Sequence, residues 1–225
     1  MSWITKTLTS SIGRKLIMSL TGLFLILFLT VHLIGNLQLL AGDNGESFNR
    51  YAYFMGHNKL IQIISIGNFS FIILHIVTAF MLAAHNKAAR PVDYAYKKTS
   101  GTSSWSSRNM LLLGTILLIF LVVHIANFYA KSKFGGLQEI TYEGKGYHDL
   151  YFATAAAFKE WWIVALYVVS MLGLSYHLLH GFWSAFQTLG LSHKKYTPII
   201  KFLGTAYSII VPLLFALIPI IMYFY

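Results

Sequence analysis

The chain has 225 residues, 56% of them hydrophobic and only 11% charged, with a mean hydropathy of +0.62, the balance of an integral membrane protein rather than a soluble domain. It contains no cysteine, which excludes a thiolate-bound iron–sulfur cluster, a C-x-x-C-H haem attachment and any disulfide. The formal charge of +10 does not point to nucleic acid, because the basic residues sit in short loops beside apolar runs, the pattern of a topology signal.

A bilayer core is crossed by about 20 apolar residues in a helix. Five stretches qualify, at roughly 16–41, 60–84, 109–130, 161–189 and 200–225. They are Leu, Ile, Phe and Val runs without Asp or Glu, and strand-like alternation is absent. The expectation is an all-α integral membrane fold: a five-transmembrane-helix bundle forming one domain over 1–225, without internal repeats. The first run follows Arg14 and Lys15, is too long for a signal-peptide core and lacks a small-residue cleavage site, so it reads as a span. In the polar, Ser-rich 85–108 loop a serine at 106 or 107 is expected to cap the third span. Within 131–160, the stretch YHDLYFATAAAF is expected to form a short interfacial helix. Pro198, Pro212 and Pro219 predict a kinked fifth span.

Loop charge orients the bundle. The N-terminal segment (Lys6, Arg14, Lys15), the 85–108 loop (Lys87, Arg90, Lys97, Lys98, Arg108) and the 190–201 link (Lys194, Lys195, Lys201) hold 11 of the 17 basic residues and one acid, Asp93. The 42–59 and 131–160 loops hold six basic and six acidic residues. By the positive-inside rule the N-terminus is cytoplasmic and the C-terminus lies outside. Tyr51, Tyr53, Trp105, Trp161, Trp162, Tyr223 and Tyr225 fit an aromatic belt.

Four of the apolar runs each carry a deeply set histidine: His32, His75, His124 and His177. A titratable ring in hydrocarbon is costly unless it lines a cavity or binds something. His32 lies ~26 Å beyond Lys15 and His124 ~24 Å beyond Arg108, both on outward-running helices. His75 and His177 are each ~18 Å from the inner ends of inward-running ones. The grouping is His32 with His124 near the outer side, and His75 with His177 near the inner side. Two bis-histidine haems stacked across a bilayer require such pairs. Interhelical hydrogen bonding is the plainer reading of any one such histidine. Small residues accompany the rings: Ser170, Gly173, Gly181 and Ser184 share the face of His177, Gly35 and Asn36 follow His32, and Thr78 and Ala79 follow His75. His124 has Phe120 and Phe128. His180, three residues from His177 and on nearly the same face, is the alternative ligand or a partner for a propionate; the Ser/Gly stripe favours His177. His57, His85, His148 and His193 fall at or beyond the membrane edges. Arg14, Lys15, Lys87 and Arg108 inside, and Asn36, Asn127, Arg50 and Lys59 outside, are candidate propionate partners, with ordinary topology signalling as the competing explanation.

RKL followed by TGLFLILFLTVH, then GESFNRYAYFM, LHIVTAF, GTILLIFLVVH and HLLHGFWSAFQTLGL run in order over about 200 residues. In these stretches the chain resembles the five-helix, dihaem cytochrome b membrane subunit of bacterial succinate:quinone oxidoreductases (succinate dehydrogenase, respiratory complex II) and fumarate reductases, closest to the succinate:menaquinone members. The resemblance implies two haem b groups, with His75 and His177 as axial ligands of the proximal iron and His32 and His124 of the distal iron. It implies a flavoprotein (FAD) subunit and an iron–sulfur subunit as partners, menaquinone as the bound quinone, and membrane lipid around the helices. It also implies a bacterial cytoplasmic (inner) membrane location and an assembly able to pair as a dimer of heterotrimers. The chain itself would carry no succinate chemistry and bind no nucleic acid. The quinone is expected near the outer end of the first two spans, with Glu46, Asn49 and His57 as polar candidates. Two other readings compete: the cytochrome b anchor of a hydrogenase or formate dehydrogenase, and a transporter that relays protons through histidines.

No predicted span contains Asp or Glu, so the chain offers no carboxylate relay to carry protons across. Electron transfer from the inner to the outer haem is therefore expected to be electrogenic. Proteoliposomes turning over with menaquinol should develop a signal from a potential-sensitive dye; turnover without one would contradict this.

Overall fold

The computed structural model describes residues 10–89 and 104–225; Lys6, Arg90, Asp93, Lys97 and Lys98 of the charge pattern lie outside them. Five long helices run through it: α1 (Ser11–Leu37, continued by a 3-10 turn Gln38–Leu40), α3 (Lys59–Ala88), α5 (Met110–His124), α8 (Trp161–Thr188) and α9 (Thr197–Phe224). With the segment following α5 to Phe134 counted in, these are five helices long and apolar enough to cross a membrane, each close to a stretch expected from hydropathy. A helix is the form that satisfies every backbone N–H and C=O within a single apolar segment.

Polar residues start the elements. Ser10 Oγ accepts from the Gly13 amide, Asn58 Oδ1 from the Leu60 and Ile61 amides, and each removes orphan donors at a helix N-terminus. The serine cap before the third span is Ser104 rather than Ser106 or Ser107. Its Oγ accepts from the Ser107 amide and begins a separate four-residue turn, α4 (Trp105–Arg108). Helix α9 has Pro198 in its first turn, where the missing N–H is harmless, and continues unbroken through Pro212 and Pro219.

The long helices are packed unequally. Met171, Leu174 and Leu178 of α8 and Val211, Ile218 and Met222 of α9 are buried. Gly204 of α9 lets the Phe182 ring of α8 approach to where a Cβ would sit 2.6 Å from it. On α3, by contrast, the buried side chains are polar, Asn68 and Thr78. Helix α3 runs antiparallel to α1, in a register set by Ser11 beside His85 (3.3 Å), Thr21 beside His75 (3.1 Å) and Phe24 against Phe71 (4.7 Å between ring centres).

One end of the bundle carries a cap that hydropathy does not reveal. The 42–59 connection contains a helix, α2 (Glu46–His57), and the 131–160 connection contains a hairpin, β1 (Glu139–Tyr142) with β2 (Lys145–His148), followed by α7 (Leu150–Phe158). Helix α7 coincides with the expected interfacial helix; α2 and the hairpin were not foreseen. The hairpin turn places Glu143 at φ 52° and Gly144 at φ 78°, a type I′ turn built on Glu-Gly instead of the usual Asn-Gly signal. Asn49 of α2 is fully buried at 0% exposure. Its Nδ2 donates to Tyr142 Oη (3.1 Å) and Asp149 Oδ1 (3.0 Å), and its Oδ1 accepts from the Tyr151 amide (2.9 Å). Asp149 Oδ1 also caps α7 through the Phe152 amide (2.9 Å). Arg50 pairs with Glu46 (2.7 Å) and Glu143 (3.0 Å); the hydrogen bond it donates to Glu46 leads in raising its pKa further.

Replacing Asn49 by Leu removes its three hydrogen bonds to half-buried partners, each contributing roughly 0.5–1.5 kcal/mol. The expected result is a loss of about 2–4 kcal/mol of stability, seen as a lower thermal midpoint and faster proteolysis of the 135–150 region; unchanged values would rule out this role. Asp43 accepts the Gly45 and Ser47 amides (3.1 and 2.9 Å), and hydrogen bonding led by Ser47 holds its carboxyl below the ordinary 3.8. With the folded value depressed, the turn's stabilisation is complete above pH 3.8 and lost as pH falls through the folded value. The Gly45 and Ser47 amides should then exchange faster relative to their intrinsic rates, and Asp43→Asn should abolish that pH dependence.

Candidate functional site

The four histidines meet as two pairs. The rings of His32 (α1) and His124 (the last residue of α5) have centres 5.7 Å apart at an interplanar angle of 86°. Those of His75 (α3) and His177 (α8) are 6.3 Å apart at 60°. Thr21, beside His75, precedes His32 by eleven residues on α1, so the two pairs are separated by roughly 16 Å along the helix axis. The His32–His124 pair is the one nearer the cap. His180 is half-buried on α8 and makes no ring contact with His75 among the described residues.

The surroundings of the pairs differ. Phe28 stacks on His32 at 5.2 Å, Phe215 of α9 lies 5.7 Å from it, and Phe120 and Phe128 each lie 5.5 Å from His124. Directly after His124 the helix widens into a π-turn, Ile125–Ala130, before α6 (Lys131–Phe134); such turns recur at functional sites. His124 Nδ1 lies 3.0 Å from the Tyr167 hydroxyl. Around the other pair the residues are small and polar. Thr21 Oγ1 is 3.1 Å from His75 Nδ1, and a Cβ on Gly22 would sit 3.6 Å from the His75 ring. Ser170 is fully buried, Gly173 is buried against Ile116, and a Cβ on Gly181 would meet nothing within 4 Å.

Among the described residues three buried polar atoms have no hydrogen-bond partner: His177 Nδ1, Asn68 Oδ1 and Arg14 Nε. Such atoms are uncommon in a folded protein. Asn68 precedes His75 by seven residues, on the same face of α3 and between the levels of the two pairs. Sequence reasoning passed over Thr21, Asn68 and Tyr167, although a polar group one or two turns from an intramembrane histidine is itself a signal.

Several other residues singled out in the sequence make contacts within the scaffold. Gly35, read as a small neighbour of His32, is filled by Tyr51 of α2, whose ring carbon Cζ would lie 2.8 Å from an added Cβ; burial raises the Tyr51 pKa. Asn36 Nδ2 donates to the His32 carbonyl at 2.7 Å. Asn49, Glu46 and Arg50 are committed to the cap. His57 stacks on Tyr53 at 3.9 Å with Nδ1 2.8 Å from the Tyr53 carbonyl. A cavity of ≈ 350 Å³ lies elsewhere at the capped end, lined by Asn127, Gln138, Phe152, Ala153, Ala157 and Ile163 among others. Asn127 is one turn beyond His124, and Ile163 one turn before Tyr167. Lys15, Lys59, Lys87 and Arg108 are exposed, as are His57, His85, His148 and His193.

Among the described residues no group of three or more His, Cys, Asp or Glu side chains converges on one point, so the bundle offers imidazole pairs rather than a closed metal cage. No protein-family model, curated protein or solved structure matches the chain. By its own coordinates it is a bundle with five helices compatible with a multi-pass membrane protein, carrying two facing histidine pairs.

Proposed function

We propose that this chain is a dihaem cytochrome b, the membrane anchor of a succinate:quinone oxidoreductase, passing electrons between an iron–sulfur subunit and menaquinone. The observation that carries this reading is the facing of four intramembrane imidazoles in two pairs, with ring centres 5.7 and 6.3 Å apart. Two imidazoles that would share one metal must have their rings close enough to reach a common point, and these separations meet that need. The absence of side chains at Gly22, beside His75, and at Gly181, where an added Cβ would meet nothing within 4 Å, also suits a flat macrocycle placed between helices.

Haem supplies one-electron transfer at iron when bound. The chain's part is to present ligands and control their surroundings. His75 and His177 would hold one iron, and His32 and His124 the other. Phe28, Phe120, Phe128 and Phe215 keep water from the second pair. Arg14, with Nε buried and free seven residues before Thr21, is suited to a propionate near the first. The cavity beside His124, of ≈ 350 Å³, is of a size to take a quinone head group and stands one helical turn from that ligand. We place the quinone there rather than at Glu46, Asn49 and His57, whose polar groups are engaged in the cap. The succinate-linked partners rest on the motif resemblance. The orientation, with the capped end outside, rests on loop charge.

A reduced-minus-oxidised spectrum of the purified protein should show a b-type α-band, with two haems per chain. His177→Ala and His32→Ala should each remove one haem, about half the absorbance, while His180→Ala should retain both. A colourless wild-type protein would overturn the reading in favour of a histidine relay. Loss of haem in His180→Ala but not His177→Ala would reassign the ligand.

A further inference from the structure

Thr21 is 3% exposed on α1. Its Oγ1 lies 2.8 Å from the Ile17 carbonyl, 3.1 Å from the Met18 carbonyl and 3.1 Å from His75 Nδ1. A hydroxyl has one proton and two lone pairs, whereas a carbonyl can only accept. The shortest contact is the back-bond to Ile17, the one a helical threonine ordinarily makes. The proton therefore lies between the two carbonyls, and a lone pair faces the imidazole. His75 must carry its hydrogen on Nδ1 and donate it to Thr21, which leaves Nε2 as the basic nitrogen.

The second level also sets a hydroxyl at Nδ1, but among the described residues no carbonyl takes its proton. The Tyr167 hydroxyl lies 3.0 Å from His124 Nδ1, and its ring is fixed by Phe120 at 4.8 Å and Phe158 at 5.1 Å. The partner rings lack such a tether. His177 Nδ1 is buried without a partner, and the His32 ring makes no hydrogen bond among the described residues. Each pair combines one tethered imidazole with one untethered.

We propose that Thr21 and Tyr167 are the positioning residues of the two centres: Thr21 accepts the Nδ1–H of His75 and so dedicates its Nε2 to iron, and Tyr167 accepts the Nδ1–H of His124 once that ring's Nε2 is given to iron. This assignment rests on the dihaem reading. A hydrogen bond from Nδ1–H fixes the ring's rotation and tautomer and raises the basicity of the ligating nitrogen. A more basic ligand favours ferric over ferrous iron, so each tether lowers the potential of its own centre. Thr21 acts on the His75–His177 centre alone, and Tyr167 on the His32–His124 centre alone.

The test is a redox titration of the b-type absorbance of the purified protein as wild type, Thr21→Val, Thr21→Ser and Tyr167→Phe. Thr21→Val should raise the midpoint of one component, Tyr167→Phe that of the other, and Thr21→Ser, which keeps the acceptor, should titrate as wild type. Identical titrations for all four proteins, or a serine variant that follows the valine one, would overturn the proposal. A second measurement is the nitrogen-15 spectrum of histidine-labelled protein, taken on the diamagnetic reduced form. It should give His75 as the Nδ1–H tautomer in wild type and Thr21→Ser. A wild-type His75 protonated on Nε2 would overturn the proposal, and it can be read even in protein that binds no haem. That failure is separate from a colourless protein, which would overturn the dihaem reading itself.

Discussion

Among Leu, Ile and Phe side chains an imidazole has no water to turn to, and each ring nitrogen left unsatisfied there costs roughly 1–3 kcal/mol. Four such rings in one small bundle constrain every helix that carries them. Helix α1 has a hydroxyl opposite α3 where His75 arrives. Helix α8 has a phenol opposite α5 where His124 arrives. These two contacts align helices α1 with α3 and α5 with α8, and they bring the second histidine of each pair to within about 6 Å of the first, as the ring-centre distances of 5.7 and 6.3 Å record.

The remaining packing supports that alignment. Tyr207 of α9 donates to the Ile26 carbonyl at 2.7 Å and meets Thr30 at 3.0 Å, tying α9 to α1 midway between the two histidine levels. Gly204 removes the side chain that would hold α8 and α9 apart. A close α8–α9 pair thus provides the rigid wall, rich in buried Met, Leu and Ile, while α3 contributes its polar face.

The cap turns polar loop residues into structure. Asn49 joins α2, the hairpin and α7 through three hydrogen bonds, and Phe48 and Phe158 pack with Leu33 and Tyr167 in one buried cluster. Through Leu33 and Tyr167 the cap reaches the immediate neighbours of His32 and His124. Packing at this end fixes the surroundings of the His32–His124 pair.

The sequence alone determined the five long helices, because an apolar run of that length has only one way to satisfy its backbone. It also determined which four histidines are set deep, since depth along a helix follows from counting residues. Their grouping by depth was legible for the same reason, and the rings that face one another in the structure belong to those groups. What it could not reveal were contacts between residues far apart in the chain. Gly35 looked like room beside a ligand, yet it is filled by Tyr51 from the next helix; Asn49 looked like ligand-binding polarity, yet it bonds to a hairpin almost a hundred residues away, and Glu46 pairs with Arg50 of its own helix. Thr21 and Tyr167 gained their meaning only when antiparallel packing brought them to His75 and His124, because a hydrogen bond is decided by the position of both partners and the chain specifies one at a time.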